Sequence, residues 1–201
     1  MISFLSHRIA HFLYQNHTID AELVPVCQYG LEIIISTGIG FSLVILAGLI
    51  MGYMKEAFLF YFLFIIIRFY TGGYHAETHF KCKVTLLLCF FTVLLCFILL
   101  QSKYCIQIHI ALEAFYLIIV LLFAPVEHLN APMTKDEAKK NRIIAIAMAI
   151  GLFIFTTFII CSHIIKVAAI IALTQTIVAI LIIISKVLGV KTNEQSQGEN
   201  S

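Results

Sequence analysis

The chain has 201 residues, 61% of them hydrophobic and only 12% charged, with 13 Lys and Arg against 11 Asp and Glu and no tryptophan. A soluble globular domain carries about 25% charged residues, so this composition excludes one and predicts an integral membrane protein of several helices. With a net charge of only +2, no nucleic acid is expected as a partner.

In chain order, Met1 to about Thr18 places Ile2, Leu5, Ile9, Phe12 and Leu13 on one helical face, with His7, Arg8, His11 and Asn16 mainly elsewhere. That is the pattern of a helix lying in the headgroup plane or covering the bundle. The start lacks the long apolar core and small-residue cleavage site of a signal peptide. Asp20 to Glu32 contains Pro25 and reads as a link or a short second interfacial helix. The first span, Ile33 to Met54, carries Gly38, Gly40, Gly48 and Gly52, small residues that let helices approach closely within or between protomers. Ala57 to Phe69 follows and is short, about 20 Å at 1.5 Å per residue against a hydrocarbon layer of ~30 Å, which predicts a tilted, locally thinned or re-entrant element.

Val84 to Leu100 is the third span and Cys105 to Pro125 the fourth. The fourth carries His109 and Glu113, one turn apart on one face, expected as a buried pair that satisfies itself. Pro125 and Pro132 then forbid regular helix, and the most charged stretch follows, Lys135 to Arg142. Ile143 to Ile165 and Val167 to Ser185 read as an antiparallel pair turning at Lys166, and the polar tail from Lys186 to Ser201 as disordered. The expected fold is all-α: one polytopic membrane bundle of about six membrane-embedded helical elements, one of them short or re-entrant. Within that single domain, 1–32 is interfacial, 33–185 is the bundle and 186–201 is a flexible tail.

Six crossings put both ends on one side. Placing them in the cytoplasm leaves Arg8, Arg68, Lys81, Lys83, Lys135, Lys139, Lys140, Arg142, Lys186 and Lys191 inside and only Lys55, Lys103 and Lys166 outside, as the positive-inside rule favours. The expected location is a cell membrane with both termini cytoplasmic.

Against this apolar background, Arg68 to Cys82 holds an arginine, two glycines, two histidines, a glutamate and a cysteine. Ionisable groups within or beside spans are costly and mark functional sites. The six cysteines, at 27, 82, 89, 96, 105 and 161, form no CxxC pattern, and Cys89 and Cys96 read as small core or lipid-facing residues. Cys82 alone has histidines and lysines near it in sequence. A thiol beside an imidazole is the minimal cysteine-hydrolase unit. On an unbroken helix His79 would be nearest to Cys82, whereas His75 reaches the sulfur only if the chain bends at Gly72 and Gly73, which glycine permits. Backbone N–H groups near that bend could receive an oxyanion. Arg68 either assists the thiolate or pairs with a carboxylate such as Glu77 or Glu127. A rival reading takes His75, His79 and Cys82 as zinc ligands. It lacks the H-E-x-x-H order of zinc peptidases, because Ala76 follows the first histidine and Glu77 comes one later. No metal or other cofactor is expected.

Arg68, Gly72-Gly73-Tyr74-His75-Ala76 and Cys82 together resemble the R-x3-GG-x-HA-x6-C signature of the accessory gene regulator B (AgrB) family of bacterial membrane peptidases. The Ala124-Pro125-Val126-Glu127 and Asn130-Ala131-Pro132 segment, with the basic stretch after it, is similar to that family's second cytoplasmic loop. The resemblance implies a cysteine endopeptidase that removes the C-terminal tail of a quorum-sensing propeptide, AgrD, and joins the new carboxyl end to an internal side chain, giving a cyclic (thio)lactone autoinducing peptide. It implies Cys82 as nucleophile, His75 as general base and acid, and Arg68, Gly72 and Gly73 as supporting residues; His79 matches no motif position. An acidic propeptide tail would be drawn to Lys81, Lys83, Lys135, Lys139, Lys140 and Arg142, which equally serve to set topology. The family and the glycine-bearing first span suggest a homodimer in contact with lipid. A small-peptide transporter, suggested by His109 and Glu113, is the alternative.

Overall fold

The computed structural model describes residues 2–16, 18–72, 79–100, 103–126, 135–162 and 164–198, and of His79, Lys135 and 188–198 it describes the backbone only. The described elements are seven α-helices and one short 3-10 turn, Ala21–Leu23. They are α1 (Ile2–Gln15), α2 (Val24–Met51), α3 (Met54–Thr71), α4 (His79–Leu100), α5 (Ile106–Phe123), α6 (Lys135–Cys161) and α7 (Ile165–Gly198). The all-α membrane bundle expected from the sequence is what the chain forms.

Five helical stretches are long and apolar enough to cross a membrane, drawn from α2, α4, α5, α6 and α7. The remaining long helix, α3, matches α5 in length at 18 residues. It carries Lys55, Glu56 and Arg68, which lower its apolar character. The short element expected at 57–69 is this helix, with wider bounds: it begins at Met54 and runs unbroken through Arg68 to Thr71, about 27 Å, still under the ~30 Å hydrocarbon layer, and it is not among the five stretches.

Other boundaries move for equally local reasons. Pro25 stands in the first turn of α2, where its missing N–H costs nothing, so Val24 to Glu32 is the start of that helix and not a link. Gly52 ends α2 with φ 77°, the left-handed conformation glycine supplies, and Tyr53 N–H donates to the Gly48 carbonyl at 2.8 Å. The charged Lys135 to Arg142 stretch is the first two turns of α6. The α6–α7 turn falls before Ile165 and not at Lys166, and α7 continues through Lys186 to Gly198 where a disordered tail was expected.

The centre of the bundle is α7, which packs against α3, α4, α5 and α6. Of its spanning window 67% is buried, against at most 33% for any other span. An all-round apolar helix belongs inside, and Ala168, Ala169, Ala172 and Ala179, all buried, allow the neighbours to come close. Around α7, Phe60, Phe64, Phe90, Phe97 and Tyr116 fill the core, with Phe60 and Phe64 stacked at 5.3 Å.

Helix α2 lies outside this centre, against α3 and α4. A Cβ on Gly48 would collide with the Cβ of Ala57, so only glycine lets α2 and α3 meet there. Lys83 near the start of α4 donates to Ser36 Oγ at 3.4 Å. The dozen residues of α2 before Ser36 therefore project roughly 18 Å past that level. On this projection sits α1, held by Ser6 Oγ donating to Glu32 Oε1 at 3.2 Å and by His7 Nδ1 sharing a hydrogen bond with Gln28 Oε1 at 3.0 Å. Its buried positions are the small residues Ser6 and Ala10, while Phe4, Leu5 and Phe12 face outward. That division favours an interfacial helix over a bundle cover, because the large apolar side chains point away from the protein.

Candidate active site

The last turn of α3 and the first turns of α4 build the site. Arg68 lies one turn before the end of α3, its guanidinium stacked over the Phe64 ring at 5.6 Å. Such a contact contributes about 0.5 to 2 kcal/mol and fixes the direction of the fork. The fork lies within electrostatic reach of the Cys82 and Cys89 thiols. Cys82 and Cys89 are seven residues apart, two turns along one face of α4, so both sulfurs look toward α3. Cys82 is half-buried and Cys89 buried. Of the two roles open to Arg68 in the sequence, the structure brings together Arg68 and Cys82; Glu77 and Glu127 lie outside the described residues.

Gly72 turns the chain at the end of α3 with φ 69° and ψ −152°, backbone that L side chains rarely adopt. A Cβ there would run into the backbone of Val126. The two residues form an isolated bridge, and Val126 N–H donates to the Thr71 carbonyl at 3.0 Å. The segment after α5 is thereby pinned to the end of α3, a contact that sequence reasoning missed although Ala124-Pro125-Val126 had been singled out.

Gly73 and His75 lie outside the described residues, as does the side chain of His79. The backbone places His79 as the first residue of α4, one turn before Cys82. Among the described residues no three His, Cys, Asp or Glu side chains converge as metal ligands do; the proposed zinc array falls outside that statement. Of the basic residues, Lys81 is exposed and Lys83 reaches Ser36. Lys139 and Lys140 are exposed on α6. Arg142 donates to the Leu121 carbonyl at 3.3 Å and so caps the end of α5, a structural task in addition to the expected electrostatic one. The backbone of Lys135 opens α6. Tyr61, buried in α3, donates to the Thr37 carbonyl at 2.7 Å and so ties α3 to α2. It was not foreseen, since nothing in an aromatic-rich run sets one tyrosine apart.

A second polar group lies inside the bundle. His109 and Glu113 do not satisfy each other as expected. His109 Nδ1 shares a 2.9 Å hydrogen bond with the Tyr104 hydroxyl, and Glu113 Oε1 accepts from Thr156 Oγ1 of α6 at 2.9 Å. Burial, reinforced by Glu113 and Cys105, pushes the Tyr104 hydroxyl well above its ordinary value and keeps it protonated.

The accessory gene regulator B model matches residues 6–187. The chain belongs to the accessory gene regulator B family. AgrB-like protein 2 of Clostridium perfringens strain 13 is 33% identical over 148 residues, covering 71% of this chain and 69% of that protein. An AgrB-like protein of strain SM101 is 31% identical over the same length with the same coverage. AgrB-like protein 1 of strain 13 is 28% identical over 157 residues, or 78% and 82% of the two chains. No solved structure matches the chain significantly. Membership places this membrane protein in accessory gene regulator quorum sensing, with an AgrD-type propeptide as the family's general partner.

Proposed function

We propose that this protein is a membrane cysteine endopeptidase that cleaves the C-terminal tail from an AgrD-like propeptide and promotes its cyclisation. The observation that carries this reading is the Arg68 guanidinium within electrostatic reach of the Cys82 thiol, beside the Gly72 turn. A guanidinium there stabilises sulfur when it becomes anionic, both as nucleophile and as leaving group. His75 is the base: it follows Gly72 by three positions, a reach of at most ~11 Å. Gly73 completes the turn motif.

In the first step the Cys82 sulfur attacks the scissile carbonyl while His75 takes the thiol proton. The C–N bond breaks, His75 returns that proton to the departing amine, and a thioester joins the propeptide to Cys82. In the second step the propeptide's own thiol or hydroxyl attacks the thioester, expelling Cys82 and closing the ring. Exchange of one thioester for another is near energetic balance, provided that water is kept from the acyl-enzyme, which a site at the membrane surface favours. The amphipathic part of the propeptide would lie beside α1, in the same interface as Phe4, Leu5 and Phe12. Its acidic end would face Lys81, Lys83, Lys135, Lys139, Lys140 and Arg142. This places both termini and the Cys82 end of the bundle in the cytoplasm, as charge asymmetry favours.

Mass spectrometry of the propeptide mixed with purified protein tests the reading. Cleavage and ring closure by the wild type, both lost in Cys82→Ala and in His75→Ala, are expected; retained cleavage in both variants excludes it. The transporter reading draws on the buried polar groups of α5, and vesicles that accumulate peptide without cleaving it would favour it instead.

A further inference from the structure

The described polar groups fall into two sets at opposite ends of the bundle. Short turns force α2–α3 and α6–α7 to run antiparallel, and the α5–α6 contacts Leu121–Arg142 and Glu113–Thr156 show the same for that pair. Cys82, Gly72, Val126 and Arg142 therefore share one end. Tyr104 lies at the other, in the joint between α4 and α5.

From Tyr104 a stripe of protonatable groups enters the bundle. His109, Glu113 and Tyr116 follow the i, i+4, i+7 positions of one face of α5, about 10 Å along the axis. His109 and Tyr116 are 0% exposed and Glu113 1%, which excludes bulk solvent from all three. Each has bonding capacity with no protein partner: His109 Nε2, Glu113 Oε2 and the Tyr116 hydroxyl. Facing them from α7 is Gln175, also 0% exposed, whose amide lies beside the Glu113 carboxylate without reaching hydrogen-bond geometry. Most buried polar atoms in proteins are satisfied, so four neighbouring side chains that are not call for an explanation.

An ion-pair role does not supply one. On α6 the side chain that faces Glu113 is Thr156, and on α7 it is Gln175, neither of them charged. The charged residues of α6 end at Arg142, fourteen residues or roughly 21 Å from Thr156, and Lys166 of α7 is exposed about 13 Å from Gln175. Among the described residues, Tyr104, Tyr116 and Cys105 interact electrostatically within this group, and Lys103, Lys55, Glu56 and Cys161 lie in the turns at the same end. A lone carboxylate in such surroundings is costly, whereas a carboxylic acid is tolerated.

We propose that Tyr104, His109, Glu113 and Tyr116 form a proton relay and binding site, screened by Thr156 and Gln175, that loads a proton onto Glu113 from the membrane face opposite Cys82. His109 accepts a proton at Nδ1 by way of the Tyr104 hydroxyl and passes the one on Nε2 to Glu113 Oε2, directly or through one water. The net change is one proton taken up and one carboxylate converted to a carboxylic acid. The Tyr116 hydroxyl and the Gln175 amide offer the bonds that hold it. This site does not depend on the peptidase reading.

Infrared spectroscopy of the full-length protein in lipid nanodiscs tests it. The wild type is expected to show a carboxylic-acid carbonyl band that fades as pH is raised, shifts on transfer to deuterium oxide, and is missing from Glu113→Gln. Tyr104→Phe, which removes only the entry hydroxyl, is expected to slow that deuterium shift by about tenfold. Coincident wild-type and Glu113→Gln spectra overturn the proposal. So does a wild-type band that never exchanges, which needs no variant to fold, and so does an unchanged exchange rate in Tyr104→Phe.

Discussion

At the end of α3 Arg68 and Cys82 are half-buried and lie within electrostatic reach of each other across two helices, and the buried Thr71 accepts from the Val126 N–H. Along α5 the polar groups are fully enclosed, yet His109, Glu113 and Tyr116 each keep an atom unpaired. The difference teaches what each end can do. A thiol that must meet a peptide has to be reached from outside, so its helpers lie at a helix end and a chain turn. A carboxyl that exchanges only a proton needs no such opening, and unpaired capacity within a sealed stripe suffices.

Several substitutions would break or sharpen this contrast, and the largest effect belongs to the sulfur. Cys82→Ala should lower propeptide cleavage by at least about 10³-fold while the protein still inserts and stays monodisperse, as loss of a nucleophile does. An active variant would remove chemistry from the α3 end altogether. Gly72→Ala comes next, because the new Cβ meets the Val126 backbone at a positive φ. It should cost about 2 to 4 kcal/mol, read as a lower midpoint of thermal unfolding by circular dichroism. An unshifted midpoint would mean that the Gly72–Val126 clamp does not constrain the site.

Thr156→Val tests the enclosed end by removing the hydroxyl on Glu113 with little change of shape. A loss of about 1 to 3 kcal/mol is expected, since a buried acceptor then goes without its donor. A neutral result would place Glu113 in contact with water. The smallest effect is that of Arg68→Lys, which keeps the charge but loses the fork and the stacking on Phe64. It should reduce kcat for cleavage by an amount equivalent to about 1 kcal/mol with KM little changed. A change in KM alone would make Arg68 a substrate contact.

The sequence made the helical bundle legible because runs of apolar residues leave no other way to satisfy a backbone in lipid. It blurred every boundary set by a charged or turn residue. Lys55, Glu56 and Arg68 hid the ends of α3, and Pro25 looked like a break although it opens α2. At the candidate site the types and spacing of Arg68, Gly72 and Cys82 were readable, and the positive φ at Gly72 was expected from glycine alone. The Val126 clamp and the Tyr61 bond to Thr37 were not, because contacts between segments 54 and 24 residues apart leave no periodic trace. His109 and Glu113 stood out as polar groups in a span, but the spacing that suggested a mutual pair could not reveal Tyr104 and Thr156 as the true partners.

The position of α7 has a consequence for how the protein is made. The helix that every other core helix except α2 packs upon follows all of them in the chain, so α3 to α6 enter the bilayer before the surface they will share exists. Until α7 arrives, Glu113 must wait in lipid without Gln175 beside it, and truncation after α6 should leave a chain that inserts but cannot assemble.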